Sequence, residues 1–358
     1  MNTFAASLAL SLLAVSAAAC SPYQTEGEFM FLRQDDAELP IWVRGNLDSG
    51  TIVIWLSPGP GDPIEALRGE GTDLLEQHVG VVYWDQRGCG TAQGNPAPES
   101  FTVDQFVADT DAVVELVRQR YHPQHVFLLG HSWGGTLATA YLLDAKRQAK
   151  ITGFIDLAGN HDFPTVFPMK LAWLQDYAEQ QLARGHDVGH WRGVRDWAAS
   201  RPPLGIASFD HWVGLVDETN AAFFDPDQDV EVSFDLVFRS GGSALAYLQV
   251  NRDFVVDSLY RDDAAMRAIA FRDKMHRITV PVLALWGRND GIVPLAAADD
   301  ALAHLGTPAA RRERVVIERA GHVTFLEQPQ AFADAAADFI ARTVAAAEAS
   351  TAGGAPAD

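Results

Sequence analysis

Residues 126–135 read Val-Phe-Leu-Leu-Gly-His-Ser-Trp-Gly-Gly, an apolar run that leads into a serine flanked by small residues. The apolar run is typical of a strand buried on both faces of a sheet, and the Ala- and Leu-rich residues 136–144 predict a helix. In the pattern Gly-x-Ser-x-Gly, a sharp turn between strand and helix exposes the serine hydroxyl above the sheet. We therefore predict that Ser132 is a nucleophile. The alternative, an ordinary serine in a glycine-rich turn, is disfavoured by the strand and the helix on either side.

A serine nucleophile needs a base that takes its proton and an acid that orients this base. Asp290 follows the buried-strand run 282–286, and His322 follows the run 314–317. Catalytic groups gather at the edge where parallel strands end, so we expect both side chains near Ser132. Taken alone, the aspartate also fits a helix cap and the histidine a structural hydrogen-bonding group. The chain order serine, aspartate, histidine matches that of α/β-hydrolase triads.

The oxyanion formed by acyl transfer needs two backbone N–H donors. One donor normally belongs to the residue after the nucleophile, here Trp133, and the other to the loop after an earlier strand. The predicted strand 51–56 leads into Ser-Pro-Gly-Pro-Gly at 57–61. Because proline has no N–H, Gly59 is the one residue among positions 58–60 that can donate.

Besides the serine motif and the loop at 57–61, the chain carries Trp-Asp-Gln-Arg-Gly-Cys-Gly at 84–90. Together these elements resemble the proline iminopeptidase branch of the α/β-hydrolases, from about residue 25 to 345 apart from the middle. Asp-Gln-Arg-Gly-x-Gly is the specific element, since lipases, esterases and peptidases share Gly-x-Ser-x-Gly. The resemblance implies that Asp85 and Arg87 brace the loops beside the active site and lie in a supporting shell around it.

The chain departs from this family in two places. The family loop His-Gly-Gly-Pro-Gly is Ser-Pro-Gly-Pro-Gly here, which keeps the donor glycine and loses the first two residues. Proline iminopeptidases also bind the substrate's free amine with cap glutamates, one of them directly after a tryptophan. In this chain Leu, Arg, Ala and Val follow the tryptophans of the middle region, Trp173, Trp191, Trp197 and Trp212.

The pattern of strands and helices predicts an α/β-hydrolase fold, with a mostly parallel central sheet, helices on both faces and an inserted helical cap. The core comprises residues 25–159 and 273–345, and it opens with a hairpin. Residues 160–272 break the alternation and predict the cap, with helical stretches at 166–184, 189–199 and 242–270. Residues 346–358 are expected to form a disordered tail.

Residues 1–20 predict a signal peptide, because an apolar run at 4–19 is too short to span a bilayer. Ala-Ala-Ala-Cys-Ser at 17–21 also fits a lipoprotein signal, in which Cys20 would carry the lipid; ordinary cleavage near Ala19 is the alternative. We expect an exported protein of a bacterium, either periplasmic, membrane-anchored through this lipid, or secreted. The other cysteine is Cys89, so lipidation or removal of Cys20 would exclude a disulfide.

The net charge of −20 argues against nucleic acid and against anionic membrane surfaces as partners. No cofactor is expected. His186 and His190 lie four residues apart, but a glycine between them weakens a helix and no third ligand is evident, so no metal site is expected. The acidic pair Asp217 and Glu218 fits a solvated helix face better than an amine-binding site.

These patterns predict a serine hydrolase that cleaves an acyl bond of a small molecule or short peptide through an acyl-enzyme intermediate. The resemblance implies a proline iminopeptidase-like aminopeptidase or amidase. A carboxylesterase or lactonase is the alternative, favoured by the missing Trp-Glu pair. A non-catalytic binding protein on a hydrolase scaffold is a more remote alternative, because the nucleophile, acid and base are all present.

Overall fold

The computed structural model describes residues 27–64, 68–219, 221–223 and 252–352. The predicted signal peptide, with Cys20, lies outside the described residues, so its processing stays a prediction. Within the described ranges, no helix has the length and apolar character needed to cross a membrane.

One nine-stranded sheet forms the centre of the described chain. Its strands are β1 (Glu28–Gln34), β2 (Ala37–Gly45), β3 (Thr51–Leu56), β4 (Gly80–Trp84), β5 (Gln93–Gly94), β6 (His125–His131), β7 (Gly153–Leu157), β8 (Val282–Gly287) and β9 (Arg312–Ile317). The order across the sheet is β1-β2-β4-β3-β6-β7-β8-β9, with β5 paired to β2. β1, β2 and β5 pair antiparallel, whereas β3, β4 and β6 to β9 run parallel. The predicted opening hairpin and mostly parallel sheet are confirmed.

Alternation along β3 shows how the sheet is covered on both faces. Ile54 and Leu56 face one apolar cluster, which includes Phe106 and Leu137 from helices of the core. The intervening Trp55 faces the other cluster, together with aromatic residues of the C-terminal helix. Burying one such aromatic side chain contributes roughly 2–3 kcal/mol, so a continuous apolar strand is stable only with helices on both sides.

The helices of the core are Glu70–Glu76, Val103–Tyr121, Trp133–Leu142, Ala145–Gln148, Ala296–His304, Thr324–Glu327 and Pro329–Ala352. Between β7 and β8 the described chain is helical, with Phe163–Ala183, Val188–Ala199, Ile206–Thr219, Arg252–Leu259 and Asp263–Ala268. Short 3-10 helices lie at Leu47–Ser49, Pro98–Ser100, Arg272–Arg277 and Ala309–Arg311.

The helices of the structure differ from the predictions in three places. The tail prediction was wrong for residues 346–352, which extend the helix Pro329–Ala352, in keeping with the strong helix propensity of their alanines. The stretch 242–270 is two helices in its described part, because Asp262 accepts a hydrogen bond from Ala265 N at 2.7 Å and starts a new helix. The helix Ile206–Thr219 was not predicted, and it buries Trp212, Leu215 and Val216.

The sheet topology brings the predicted site residues to one edge. Gly59 lies on the loop after β3, Ser132 directly follows β6, Asp290 follows β8 and His322 follows β9. All four strands run parallel, so these residues meet at the edge formed by the strands' carboxyl ends. Ligand sites of open α/β sheets lie at this edge.

Candidate active site

Ser132 adopts a backbone conformation that side-chain-bearing residues rarely adopt, with φ 55° and ψ −114°. Close packing around the turn explains its glycines. A Cβ on Gly134 would lie 2.1 Å from the carbonyl oxygen of Leu56, and one on Gly130 would lie 2.4 Å from that of Gly134. Since larger residues cannot fit, the motif fixes both the strained serine and the contact between β3 and the following helix.

Asp290 and His322 form a hydrogen-bonded pair. Nδ1 of His322 lies 2.8 Å from Oδ2 of Asp290. The other carboxylate oxygen of Asp290 accepts hydrogen bonds from the N–H groups of Ile292 and Val293 at 2.9 and 2.8 Å. Because the Nδ1–H group donates a hydrogen bond to the carboxylate, Nε2 of His322 keeps a lone pair that can accept a proton.

Ser132 and His322 line one cavity of about 720 Å³, together with Gly59 and Trp133. Gly59 has φ +122°, and a Cβ there would lie 2.5 Å from the backbone nitrogen of Gly61. This position therefore requires glycine on conformational grounds as well. The structure thus brings the predicted nucleophile, base and both predicted N–H donors to the same space, with Asp290 hydrogen-bonded to the base.

Asp85 ties two loops together. Its Oδ1 accepts a hydrogen bond from Ile64 N at 3.0 Å, and its Oδ2 accepts from Thr91 N at 2.8 Å. Burial raises the pKa of Asp85 to about 6, although the hydrogen bonds from Thr91 and Ile64 lower it. The carboxyl group therefore links the loop after β3, which carries Gly59, to the segment after β4.

Arg87 is fully buried and makes a bidentate ion pair with Asp109, at 2.6 and 2.7 Å. Its remaining nitrogen donates to Asp36 at 3.3 Å and to Ser100 at 3.1 Å. These partners come from the β1–β2 turn, a 3-10 helix and the helix Val103–Tyr121. Arg87 therefore joins structural elements of the core.

Gln86 and His131 make contacts that the sequence analysis missed. Gln86 Oε1 accepts a hydrogen bond from Trp133 Nε1 at 3.0 Å, and Gln86 Nε2 donates to Ser57 Oγ at 3.0 Å. His131 Nε2 lies 3.0 Å from the carbonyl oxygen of His322. Burial, with His322 nearby, holds the pKa of His131 well below its ordinary value, so its ring is neutral. Both residues stand within motifs that the sequence analysis recognised, but the sequence gives no sign of the partners that they contact.

A short segment of the cap makes hydrogen bonds to two loops, the one that carries Asp290 and the one that carries His322. The carbonyl oxygen of Ala221 accepts a hydrogen bond from Gly291 N at 3.0 Å, and that of Ala222 accepts one from His322 N at 2.7 Å. Backbone contacts of this kind leave no residue signature. Sequence reasoning therefore had no means of finding them.

The cavity wall carries charges from the cap. Asp210, Asp217 and Asp257 are exposed and line the cavity, whereas Lys170 lines it as a buried side chain. Asp217 is thus on the cavity side of its helix. The adjacent Glu218 instead lies near His190, with Oε2 and Nε2 3.1 Å apart.

His186, the other histidine considered as a metal ligand, has Nδ1 2.8 Å from Gln181 Oε1. Within the described ranges, no group of three or more His, Cys, Asp or Glu residues is placed to hold a metal ion.

Comparisons with known proteins agree with the fold. The model of the alpha/beta hydrolase family matches residues 53–335. A relative from Bacillus subtilis (strain 168), named a probable aminopeptidase, is 24% identical over 293 residues, which cover 79% of this chain and 86% of the relative. A proline iminopeptidase from Saccharolobus solfataricus is also 24% identical over 293 residues, covering 80% of this chain and 84% of the relative.

A solved structure shows the same architecture. The proline iminopeptidase-related protein from Thermus thermophilus is 26% identical and has a TM-score of 0.59, with 90% of this chain and 99% of that chain covered. The predicted α/β-hydrolase fold and the resemblance to the proline iminopeptidase branch are therefore confirmed.

Proposed function

The chain belongs to the alpha/beta hydrolase family, and we propose that it cleaves acyl bonds as a serine hydrolase. The observation that carries this proposal is the 2.8 Å contact between His322 Nδ1 and Asp290 Oδ2, with His322 on the same cavity as the strained Ser132. A nucleophile, a base and an acid that orients the base are the requirements of this chemistry.

In the proposed mechanism, His322 Nε2 takes the proton of Ser132 while Oγ forms a bond to the acyl carbon. The N–H groups of Gly59 and Trp133 stabilise the oxyanion. The protonated His322 then gives its proton to the leaving group as the acyl–nitrogen or acyl–oxygen bond breaks. A water, deprotonated by His322, attacks the acyl carbon. The bond between Oγ and the acyl carbon then breaks as His322 returns the proton to Ser132, and the acid leaves. Asp290 stabilises the imidazolium in both half-reactions.

The leading substrate class is a short peptide or amino-acid amide with a free amine. Two features support this class, namely the aminopeptidase relatives and the three exposed aspartates at the cavity, Asp210, Asp217 and Asp257. Carboxylates are the natural partners of an ammonium group, and hydrogen bonds between charged groups are about twice as strong as neutral ones.

A carboxylic ester or lactone is the second candidate. Lys170 favours it, because a buried lysine on the cavity wall repels a substrate ammonium group placed nearby. The absence of a glutamate after any cap tryptophan agrees with this. The two classes share the same nucleophile, acid and base, so they differ only in the leaving group and its recognition.

Ser132→Ala tests the proposed chemistry. We expect loss of turnover on both aminoacyl arylamides and p-nitrophenyl esters, and fluorophosphonate labelling of the wild type at Ser132. Ser208→Ala, at a partly exposed cap serine, is the matched control and should keep full activity and labelling. Unchanged turnover in Ser132→Ala, or labelling at another residue, would contradict the proposal. Turnover of aminoacyl arylamides, which are far less reactive than p-nitrophenyl esters, would support the amide class.

A further inference from the structure

Lys170 reaches from the cap to the loop of the proposed catalytic acid. It lies on the helix Phe163–Ala183 and is 4% exposed. Its Nζ donates a hydrogen bond to the carbonyl oxygen of Ile292 and lies 4.3 Å from the centre of the Trp212 ring. Burying a lysine is costly without compensating partners. The contacts of its ammonium group must therefore compensate for the lost solvation.

The carbonyl of Ile292 and the N–H of Val293 belong to one peptide group. That N–H donates to Asp290 Oδ1 at 2.8 Å, while Lys170 holds the oxygen at the other end. A cation at the carbonyl polarises the peptide group and thereby strengthens its N–H as a donor. Lys170 and Asp290 therefore hold opposite ends of the same peptide unit.

The rest of the cap helix also packs on this loop. A Cβ on Gly291 would lie 2.4 Å from the ring of Trp173, so the ring fits directly against the glycine backbone. Val166 and Met169 share an apolar cluster with Val293. One face of the helix thus packs on the loop that carries Asp290, and Lys170 is the charged contact within that face.

We propose that Lys170 is a positioning residue that couples the seating of the cap to the orientation of Asp290. This inference rests on the proposed function, in which Asp290 orients His322. With the peptide fixed, Asp290 Oδ1 stays bound to the loop and Oδ2 stays directed at His322 Nδ1. A cap that shifts away from the loop removes the ammonium group and loosens the carboxylate.

The charge on Lys170 changes near neutral pH. Burial lowers its pKa to about 7, and Asp290 opposes this shift. Among the described residues, the other titratable groups that line the cavity are His322, His131, Asp62, Asp210, Asp217, Asp257 and Tyr260. The polarising effect of the ammonium should therefore weaken as pH rises through this pKa.

Lys170→Met tests the inference by keeping an apolar stem beside Trp212 and removing the donor and the charge. We expect kcat to fall about tenfold with little change in KM, since hydrogen bonds to charged groups contribute more than neutral ones. Lys170→Arg, which keeps a charged donor, should recover much of the loss. Lys274→Met removes an exposed lysine of the 3-10 helix Arg272–Arg277 and should leave kcat unchanged.

A double-mutant cycle separates this inference from the proposed function. Added to Asp290→Asn, Lys170→Met should cause no further loss of kcat, because both changes disable one element. A full additional loss would show that Lys170 acts on the substrate and would overturn the inference. A fully active Asp290→Asn enzyme would refute the role of Asp290 as the acid of the proposed function. Loss of activity in Asp290→Asn together with an unaffected Lys170→Met would refute only the inference.

The pH profile of kcat gives a second readout if Lys170→Met does not fold. Arginine stays charged at all accessible pH values, so Lys170→Arg should hold its kcat as pH rises above about 7, where the wild type loses part of its rate. Identical pH profiles for the two enzymes would overturn the inference.

Discussion

Trp133 Nε1 donates a hydrogen bond of 3.0 Å to Gln86 Oε1, and Nε2 of the same glutamine donates to Ser57 at both Oγ and the carbonyl oxygen. One buried amide thus joins the residue after the proposed nucleophile to the loop that carries Gly59. Both proposed oxyanion donors belong to these two segments. We therefore expect this amide to set the spacing between the two donors.

Gln86→Leu should lower kcat about tenfold and change KM little. Displaced N–H donors would stabilise the oxyanion less, and the oxyanion forms only in the transition state. Steady-state kinetics on one good substrate measures both constants. Gln93→Leu is the control, because Gln93 is an exposed glutamine after the same motif. Its kcat and KM should equal those of the wild type. If Gln86→Leu retained full kcat, the amide would have no part in setting the donor spacing.

Asp290→Asn should lower kcat by about 10⁴-fold, as loss of the triad acid does in the best-studied serine protease. The amide no longer selects the Nδ1–H tautomer of His322 or stabilises the imidazolium, while substrate contacts remain. KM should therefore change little.

Asp156→Asn is the control for this assignment. Asp156 is also buried and lies on β7, the neighbour of β8. Its activity should match the wild type. If Asp156→Asn lost activity and Asp290→Asn did not, the acid would be assigned to the wrong strand.

The sequence predicted the positions of the proposed triad because each residue follows an apolar strand. Ser132, Asp290 and His322 come after β6, β8 and β9, and parallel strands bring such positions to one edge. Gly59 was found by elimination, since prolines flank it. These inferences used only local pattern and strand direction, which a single sequence contains.

Other parts of the site depend on contacts between distant residues. Gln86 stands within a recognised motif, yet its partners Trp133 and Ser57 are set by how β3, β4 and β6 pair. The helix Ile206–Thr219 mixes β-branched, aromatic and glycine residues of modest helix propensity, so its stability comes from burying Trp212 and Val216. The contacts of Ala221 and Ala222 are made by the backbone. No local pattern encodes them.

The raised pKa of Asp156 should make the free energy of unfolding fall as pH rises from about 4 to 7. Burial raises its pKa from 3.8 to about 7, so in this range the folded state holds a proton that the unfolded state has lost. This contribution is complete below the unfolded pKa and disappears as the carboxyl ionises in the folded protein. Asp156→Asn removes the titration, so its melting temperature should exceed that of the wild type increasingly as pH rises to about 8.

Asp300 provides a control of opposite sign. Hydrogen bonds from His161 and Arg272 hold the pKa of Asp300 well below its ordinary value. Its stabilisation is therefore present above about pH 4 and is lost as pH falls. Asp300→Asn should be destabilised at neutral pH and approach the wild type in acid. Parallel melting curves for wild type and Asp156→Asn across the pH range would show that Asp156 does not titrate as expected.

The exposed aspartates of the cavity should determine whether the enzyme prefers substrates with a free amine. An exposed ion pair contributes less than about 1 kcal/mol, so one substitution would have a small effect and the triple variant Asp210→Asn, Asp217→Asn, Asp257→Asn is the better test. We expect its KM for aminoacyl arylamides to rise about tenfold, the effect of roughly 1.4 kcal/mol in total. Its KM for the N-acetylated forms of the same substrates should stay unchanged, because they carry no ammonium group.

Glu218→Gln is the matched control, since Glu218 neighbours Asp217 and lies near His190 instead. It should leave both constants unchanged. If the triple variant affected free and acetylated substrates equally, the aspartates would shape the cavity without binding an amine. Neutral esters or lactones would then be the better substrates. The comparison of free and acetylated forms of one amide therefore distinguishes the two proposed substrate classes, because the two forms differ only in the ammonium group.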